Sequence, residues 1–446
     1  MTRALPLLAS LFWLPPATAT EWQDLKAQYQ YVTILGGLGL ANGDLNPNEW
    51  NNAEGQSAMA AELSEPHSAM QDIYGRVYIA DKNAHAIRRI DTDGTIHTVA
   101  GMNLNERPGA TSAGGYNGDG PARQRLLNGP QHAYVMPDGT FYIVDSGNSR
   151  IRRVDLAGNM TTLITDPVGA ERGLWVRRDA QLIYYCTGTY LKRWTPAMGN
   201  APGAVVASGF GETGNIDVDA AGNILVSDRN KSGVYRIPPT YGGAVVSETL
   251  RVAGLGGGST VSDGPGSNGD AATTIGMEGT RGVACHPLGG FFVATHKGGD
   301  VWYVDAAGRA RMFVEGDSNN ENDPGLIAVP TTRKVMSEPR SVSVGLNGDV
   351  VIACNDAGVI RIVRSVAPPV AAPVWESVGP VAAGFRLRWP SASDRWYMLE
   401  KSTSLGNWAP LSTIPAAGAF TEFTDTNAPG NPRLFYRLWS MRDWPN

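Results

Sequence analysis

The fold of this chain is decided by two stretches, PHSAMQDIYGRVYIADKNAHAIRRIDTDGTIHTVAG at Pro66–Gly101 and PQHAYVMPDGTFYIVDSGNSRIRRVDLAGNMTTLI at Pro130–Ile164. The two align over three strands without a gap. Each has a short first strand, a glycine turn, and an aromatic and β-branched second strand that ends in aspartate. A third strand carries Ile-Arg, and a fourth follows a β-turn. Alternating polar and apolar residues between turn signals are typical of short strands, so each stretch predicts a four-stranded sheet.

The same pattern recurs four more times, so six copies follow one another along the chain. The further copies are Glu171–Trp194, Thr213–Ile237 with Leu250–Gly254, Thr280–Gly316 and Pro339–Val366. A single sheet of this kind cannot bury both of its faces, whereas radial packing of repeated sheets buries both. The repeat therefore predicts an all-β fold containing a six-bladed β-propeller.

The sixth copy lacks a fourth strand of its own, because a proline-rich run follows Val366. A candidate for the missing strand lies at the other end of the repeat region. Tyr31–Gly37 has the same character as the closing strands HTVAG and LRVAG of other copies. Pairing it with the sixth copy would close the ring and remove its free edges. We therefore expect the propeller to span residues 31–366.

Several motifs carry a resemblance to a known family. YIADKN and YIVDSGNSRIRRVD, with the inter-blade stretches GYNGDGPARQRLLNGP and AEGQSAMAAELSEP, resemble NHL-repeat propellers. The third copy departs from the pattern, with Thr187 where an aspartate is expected. NHL propellers are related in fold to the SMP-30/lactonase and amidating-lyase propellers. The resemblance therefore implies either a ligand- or protein-binding module or, as the alternative, a divalent-metal-dependent lyase or lactone hydrolase acting in the channel.

The two ends of the chain predict further segments. Residues 1–19 read as a signal peptide, with Arg3 before an apolar run and a small-x-small cleavage site at Ala17–Ala19. Residues 367–375 form a proline-rich linker. Residues 376–446 alternate as in a small β-sandwich, resemble fibronectin-III-like modules, and contain aromatic residues expected to fill its core. The sequence thus predicts a secreted protein, periplasmic or extracellular.

Composition narrows the function classes. The 446-residue chain has a net charge of −5, which argues against nucleic-acid binding. No segment after the signal peptide is apolar enough to be a transmembrane helix. Three widely spaced cysteines in strand-like runs predict buried free thiols.

A candidate site follows from aligning the inner strands. The residue before the small residue of each inner strand is, in blade order, His67, Gln131, Arg172, Gly214, Arg281 and Arg340, and the next column contains His132. Arginine forks bind carboxylate, phosphate or sulfate, so a ring of this kind predicts an anionic small molecule, peptide or acidic glycan at the channel mouth. The alternative is that the arginines pair with nearby acids: Glu65, Glu212, Glu278 and Glu338. An extracellular protein partner is also compatible with exposed propeller loops.

The catalytic residues and the metal stay open at this stage. The resemblance to amidating lyases implies a zinc held by three inner-ring histidines, but only His67 and His132 lie near the predicted mouth, and a catalytic zinc site normally has three protein ligands. A carboxylate such as Glu278 could complete the set. Two oxygen-rich loops, Ser262–Asp270 and Asp317–Gly325, could hold calcium but lack EF-hand spacing, and their composition favours ordinary polar insertion loops. A divalent cation, calcium or zinc, is therefore the cofactor considered.

Overall fold

The computed structural model describes residues 18–38, 51–102, 113–257, 269–286, 289–315, 338–355, 357–366, 373–392, 395–404, 408–428 and 434–442. All but the last two residues of the predicted signal peptide, most of the predicted linker and nearly all of the two oxygen-rich loops lie outside these residues. The described chain opens with helix α1 (Thr18–Gln28), which runs directly into strand β1 (Tyr29–Gly36). None of the helices in the described ranges is long and apolar enough to cross a membrane.

After β1 come six groups of strands, here called blades 1 to 6. Blade 1 comprises β2 (Gln56–Ser57), β3 (Pro66–Gln71), β4 (Val77–Asp81), β5 (Ala86–Ile90) and β6 (Thr95–Ala100). Blade 2 comprises β7 (Gly120–Pro121), β8 (Pro130–Val135), β9 (Phe141–Asp145), β10 (Arg150–Val154) and β11 (Asn159–Thr165). Blade 3 comprises β12 (Glu171–Val176), β13 (Ile183–Thr187), β14 (Tyr190–Trp194) and β15 (Ala204–Ser208).

Blade 4 comprises β16 (Thr213–Val218), β17 (Ile224–Asp228), β18 (Gly233–Ile237) and β19 (Arg251–Ala253). Blade 5 comprises β20 (Thr280–Cys285), β21 (Phe291–Thr295), β22 (Val301–Val304) and β23 (Ala310–Val314). Blade 6 comprises β24 (Pro339–Val344), β25 (Val350–Cys354) and β26 (Val359–Ser365). Short 3-10 turns connect the strands at Ala58–Ala60, Ala122–Gln124, Ser146–Asn148, Pro196–Met198, Glu248–Leu250 and Ala272–Thr274.

The blades form a closed ring. Each blade is an antiparallel sheet whose first long strand is innermost. The innermost strands β3, β8, β12, β16, β20 and β24 contact one another in that order, and β24 contacts β3. Both faces of each blade are covered by neighbours, which is why second strands such as Ile183–Thr187 are buried at every position. The predicted all-β propeller fold is confirmed.

The ring is closed by its first and last strands. β1 pairs with β26 antiparallel, with Val32 opposite Val363 and Ile34 opposite Arg361. The predicted pairing of the N-terminal strand with blade 6 is confirmed. Helix α1 extends the closure onto blade 5, because the Tyr303 hydroxyl donates a 2.6 Å hydrogen bond to Glu21 Oε1. Leu25 of the same helix is fully buried in the apolar cluster that also contains Tyr303.

The repeated aspartate at the end of the second strand holds the loop that leads into the first strand. Asp81 accepts a 2.7 Å hydrogen bond from the Ser64 backbone N–H. The corresponding bonds are Asn128 N–H to Asp145 at 2.8 Å and Gly211 N–H to Asp228 at 2.7 Å. Because backbone donors are fixed at each of these points, the start of the inner strand is placed alike in blades 1, 2 and 4.

The C-terminal residues form a separate pair of sheets. One contains β27 (Ser377–Val381), β28 (Gly384–Pro390) and β31 (Phe420–Asp425), and the other contains β29 (Arg395–Ser402), β30 (Ala409–Pro415) and β32 (Phe435–Arg442). Trp389 and Tyr397 pack edge to face at 5.6 Å in the core between them. The predicted sandwich with an aromatic core is confirmed.

The C-terminal sandwich contacts the propeller through the turn after β3. The Tyr74 hydroxyl donates a 2.6 Å hydrogen bond to Glu400 Oε1, and the Tyr74 ring packs edge to face on Trp439. Glu400 is 1% exposed and also accepts hydrogen bonds from Arg437 and Trp439. The guanidinium of Arg178, from blade 3, lies over the Trp396 ring. The sandwich therefore sits at the end of the propeller where the innermost strands finish.

Candidate functional site

The channel between the six innermost strands has two chemically different ends. We call the end where these strands begin the upper mouth. We call the cavity toward the end where they finish the lower pocket. The predicted ligand-binding residues belong to the first positions of the strands and therefore to the upper mouth.

Three arginines of the upper mouth surround one carboxylate. Glu212 Oε1 lies 2.8 Å from Arg172 Nη1 and 3.1 Å from Arg281 Nη1, and Glu212 Oε2 lies 2.9 Å from Arg229 Nη1. Glu171, more exposed, is 3.8 Å from Arg172. We call Arg172, Arg229, Arg281 and Glu212 the arginine cluster. Three positive charges face one half-buried negative charge, Glu212, and one peripheral one, Glu171, so the cluster keeps a net positive charge.

The pKa shifts reflect this imbalance. Burial lowers the pKa of the Arg281 guanidinium, and repulsion from Arg172 lowers it further, against the attraction of Glu212. Burial raises the pKa of Glu212, but Arg281, Arg229 and Arg172 together lower it to about 2. Arg281 is 3% exposed, and its Nε has no hydrogen-bond partner among the described residues. A buried guanidinium with an unfilled donor is a place for an additional acceptor.

A second group of charges lies around Glu65. Glu65 Oε2 is 2.6 Å from Lys82 Nζ and 3.7 Å from His67 Nε2. Glu65 has a left-handed backbone (φ 56°) at the position where blade 2 has Gly129. A non-glycine residue in this region costs about 1 kcal/mol, so the side chain is held there despite the cost. Burial lowers the pKa of His67 well below its usual value.

Blade 6 repeats the arrangement. Glu338 also has a left-handed backbone (φ 47°), and its Oε2 lies 2.6 Å from His296 Nε2 and 3.7 Å from Arg340 Nη2. Glu278 of blade 5 is 3.7 Å from Lys297. All four acids named from the sequence as alternative partners therefore contact basic residues. The upper mouth is a network of shared charges, and its excess positive charge is concentrated in the arginine cluster.

The two remaining predicted residues are engaged by protein groups. The Gln131 amide donates a 3.0 Å hydrogen bond to Ser146 Oγ. His132 Nδ1 lies 2.8 Å from the Arg172 carbonyl oxygen, to which a protonated Nδ1 donates. Burial lowers the pKa of His132 to about 4, so its ring is neutral near pH 7. The structure thus brings His67, Arg172, Arg281 and Arg340 toward one another. Gln131 instead bonds the turn after β9, and His132 joins β8 to β12.

Sequence reasoning missed one column of the upper mouth. In four blades, the residue directly after the second strand contacts an acid or amide side chain near the start of an inner strand. That inner strand belongs either to the same blade or to the next one. The members of this column are Lys82 on Glu65, Ser146 on Gln131, Arg229 on Glu212 and His296 on Glu338. The alignment that gave the first column contained this one too. It was not recognised because lysine, serine, arginine and histidine share no side-chain type.

The lower pocket is lined by all six blades and encloses about 1020 Å³ of space between protein atoms, part of it open to solvent. Met70, Tyr134 and Trp175 provide apolar and aromatic walls. Asn215, Asp217 and Ser343 provide polar groups. Arg178, which contacts the C-terminal sandwich, also lines it. A mostly apolar cavity with a few convergent polar groups is the usual form of a small-molecule site.

The described residues do not form a ligand set for the metal that the family resemblance implies. In the described part of the chain, no group of three His, Cys, Asp or Glu side chains could hold a metal ion. His132 is bonded to a backbone carbonyl and His67 faces Glu65, so the two histidines do not converge with a third ligand. His286 is turned toward the Tyr29 hydroxyl, 3.2 Å away. We therefore derive no metal-dependent step.

Sequence comparison matches a short part of the chain. No protein-family model matches the chain. Over 105 residues, 22% of the chain, it is 34% identical to teneurin-3 of Danio rerio and 35% identical to teneurin-3 of Mus musculus, and it spans 4% of the length of these relatives.

Two solved structures are similar over three quarters of the chain. An auxiliary nutrient binding protein from Bacteroides ovatus has 16% identity and a TM-score of 0.52, covering 76% of this chain and 78% of its own. Another from Bacteroides thetaiotaomicron has 15% identity and a TM-score of 0.51, covering 75% and 76%. At this identity the likeness shows the fold alone.

Proposed function

We propose that this chain is an exported binding protein that holds an anionic small molecule, or the anionic end of a peptide or acidic glycan, at the upper mouth of its channel. The observation that carries the proposal is the arginine cluster, in which Arg172, Arg229 and Arg281 share Glu212. A carboxylate, phosphate or sulfate on a ligand would supply the missing negative charge and accept from the unfilled Nε of Arg281.

Two further points support a binding role. The solved structures similar in fold include auxiliary nutrient binding proteins, and binding requires no residue set beyond the one described. The signal-peptide-like N-terminus supports export, where a binding propeller would meet small solutes. Glu212 already contacts the three guanidiniums, which suits reversible binding of an anion that competes with it for them.

The test is calorimetric titration of the chain beginning at Thr20 with acetate, glucuronate, sulfate and inorganic phosphate. Arg281→Met should weaken binding of the anion that binds wild type by roughly tenfold or more, because one charge-assisted contact is lost. Arg193→Met is the control, since Arg193 is exposed on β14 of blade 3. Unchanged affinity in Arg281→Met, or no saturable binding of any of the four anions, would refute the proposal.

The same preparation separates the binding role from the metal-dependent alternative. Elemental analysis of the purified chain and of a His67→Ala/His132→Ala variant measures bound divalent metal. The binding proposal predicts no equimolar metal that the two substitutions remove. Equimolar metal lost on substitution would instead favour a lyase or lactone hydrolase.

A further inference from the structure

The lower pocket contains an acidic residue where the other blades have none. Asp217 occupies the fifth position of its inner strand, β16. The same position in the other blades is taken by Met70, Tyr134, Trp175, Ala284 and Ser343. All six residues line the lower pocket, so at this level of the inner strands the Asp217 carboxylate faces apolar, aromatic and hydroxyl groups.

The hydrogen bonds of Asp217 hold it in place without neutralising it. Oδ1 accepts from the Val218 N–H and Oδ2 from the Cys285 N–H, each at 2.8 Å. Among the described residues, no basic group lies within ion-pair distance of Asp217. Arg236, on the same blade, is paired with Asp219 at 3.1 Å. The carboxylate is therefore fixed from two adjacent blades, and each oxygen keeps acceptor capacity.

The other ionisable groups of the pocket are already engaged. Asp72 is held by Arg76 at 2.6 Å and by backbone N–H groups. Arg178 lies over the Trp396 ring at the rim. His132 is bonded to the Arg172 carbonyl oxygen. Burial raises the pKa of Asp217 to about 6, which leaves it ionised at neutral pH but costly without a counter-charge.

The surroundings select an organic cation over a metal ion. Tyr134 and Trp175 follow Met70 around the wall at the same level as Asp217, and aromatic faces attract ammonium groups. A metal ion would need several oxygen, nitrogen or thiolate ligands, and the described residues offer no group of three. We propose that the lower pocket binds the ammonium group of a small organic amine through the Asp217 carboxylate, with Tyr134 and Trp175 against its carbon skeleton.

This second site goes beyond the anion site of the upper mouth and is tested separately. Benzylamine and its neutral counterpart benzyl alcohol are titrated calorimetrically into the chain beginning at Thr20 at neutral pH. Wild type should bind benzylamine saturably and at least roughly tenfold more tightly than benzyl alcohol, because only the amine offers a charge-assisted contact. Absence of this preference overturns the proposal.

Asp217→Asn should abolish the preference while leaving benzyl alcohol affinity unchanged. Asp219→Asn, two residues along the same blade, is the matched control and should keep the preference. If Asp217→Asn does not fold, Trp175→Leu serves instead: it should weaken benzylamine binding severalfold. A preference for benzylamine that Asp217→Asn retains, or an unchanged benzylamine affinity in Trp175→Leu, overturns the proposal. Phosphate titration of folded Asp217→Asn reports on the upper mouth alone, so failure of one site is distinguishable from failure of the other.

Discussion

The arginine cluster makes a direct prediction for the replacement of its one shared carboxylate. Glu212→Gln keeps the size of the side chain and an acceptor oxygen but removes the charge that lies within 3.1 Å of three guanidiniums. The variant therefore leaves Arg172 and Arg281, both largely buried, with only the peripheral Glu171, 3.8 Å from Arg172, as a counter-charge. Breaking a buried ion pair from one side is among the more destabilising single changes known in proteins.

The magnitude follows from the Glu212 pKa. Its ordinary value is 4.5, and the cluster lowers it to about 2 in the folded protein. A difference of this size corresponds to about 3 kcal/mol of folding free energy. The Glu212 side chain is 22% exposed, so solvent screening removes only a small part of this stabilisation. Because the folded pKa is lowered, this stability is fully present above about pH 4.5 and is lost as the pH falls toward 2.

Urea denaturation at pH 7 should show Glu212→Gln less stable than wild type by about 3 kcal/mol, with the gap narrowing below about pH 4.5. Glu248→Gln is the control: Glu248 pairs with Arg251 but its side chain is 60% exposed, so the loss should be under about 1 kcal/mol. Inorganic phosphate should stabilise Glu212→Gln more than wild type, since it can replace the missing charge. Equal stability of the two chains at pH 7, or a gap that does not depend on pH, would refute the reasoning.

Two other predictions test the packing. Tyr74→Phe removes the hydroxyl that donates a hydrogen bond to Glu400. We therefore expect the free energy of unfolding of the C-terminal sandwich to fall by about 2 kcal/mol and amide exchange in β29 and β32 to become faster. Tyr241→Phe, which removes an exposed hydroxyl, should change neither quantity. Burial raises the pKa of the Cys186 thiol to about 12 and that of Cys354 to about 11. A thiol reagent at pH 8 should therefore label none of the three cysteines until urea is added, and rapid labelling of the folded chain would show that the blades open.

The parts of the fold that could be predicted are those with a local signal. Each blade repeats one alternation of strand and turn, so the strands could be located from residue types alone. The partner of β26 was predictable because the last copy lacked a strand and Tyr31–Gly37 had the matching pattern. The contact of Tyr74 with Glu400 had no such signal. It joins the propeller to the sandwich, and the strand pattern of each could be recognised without the other.

The candidate site was only partly predictable for a related reason. Alignment found Arg172, Arg281 and Arg340 because they share a type and a position. It could not show that Glu212 would serve two of them, since the choice of partner depends on how neighbouring blades are rotated in the ring. Asp217 was overlooked because a polar residue inside an alternating strand reads as an ordinary outward-facing position, whereas in a propeller the innermost strand also faces a channel.

The pairing of Tyr29 with Ser365 has a consequence for biosynthesis. A ribosome makes β1 first among the strands and β26 last among those of the ring, so the N-terminal segment must wait unpaired while five complete blades are synthesised. Contacts between such distant segments form slowly, because the loop between them must close first. A nascent chain stopped before residue 359 would keep an open edge on blade 6 and a solitary β1. The pairing of β1 with β26 thus depends on complete synthesis. Only a chain translated through blade 6 can close the ring, and shorter products keep strand edges that proteases can attack.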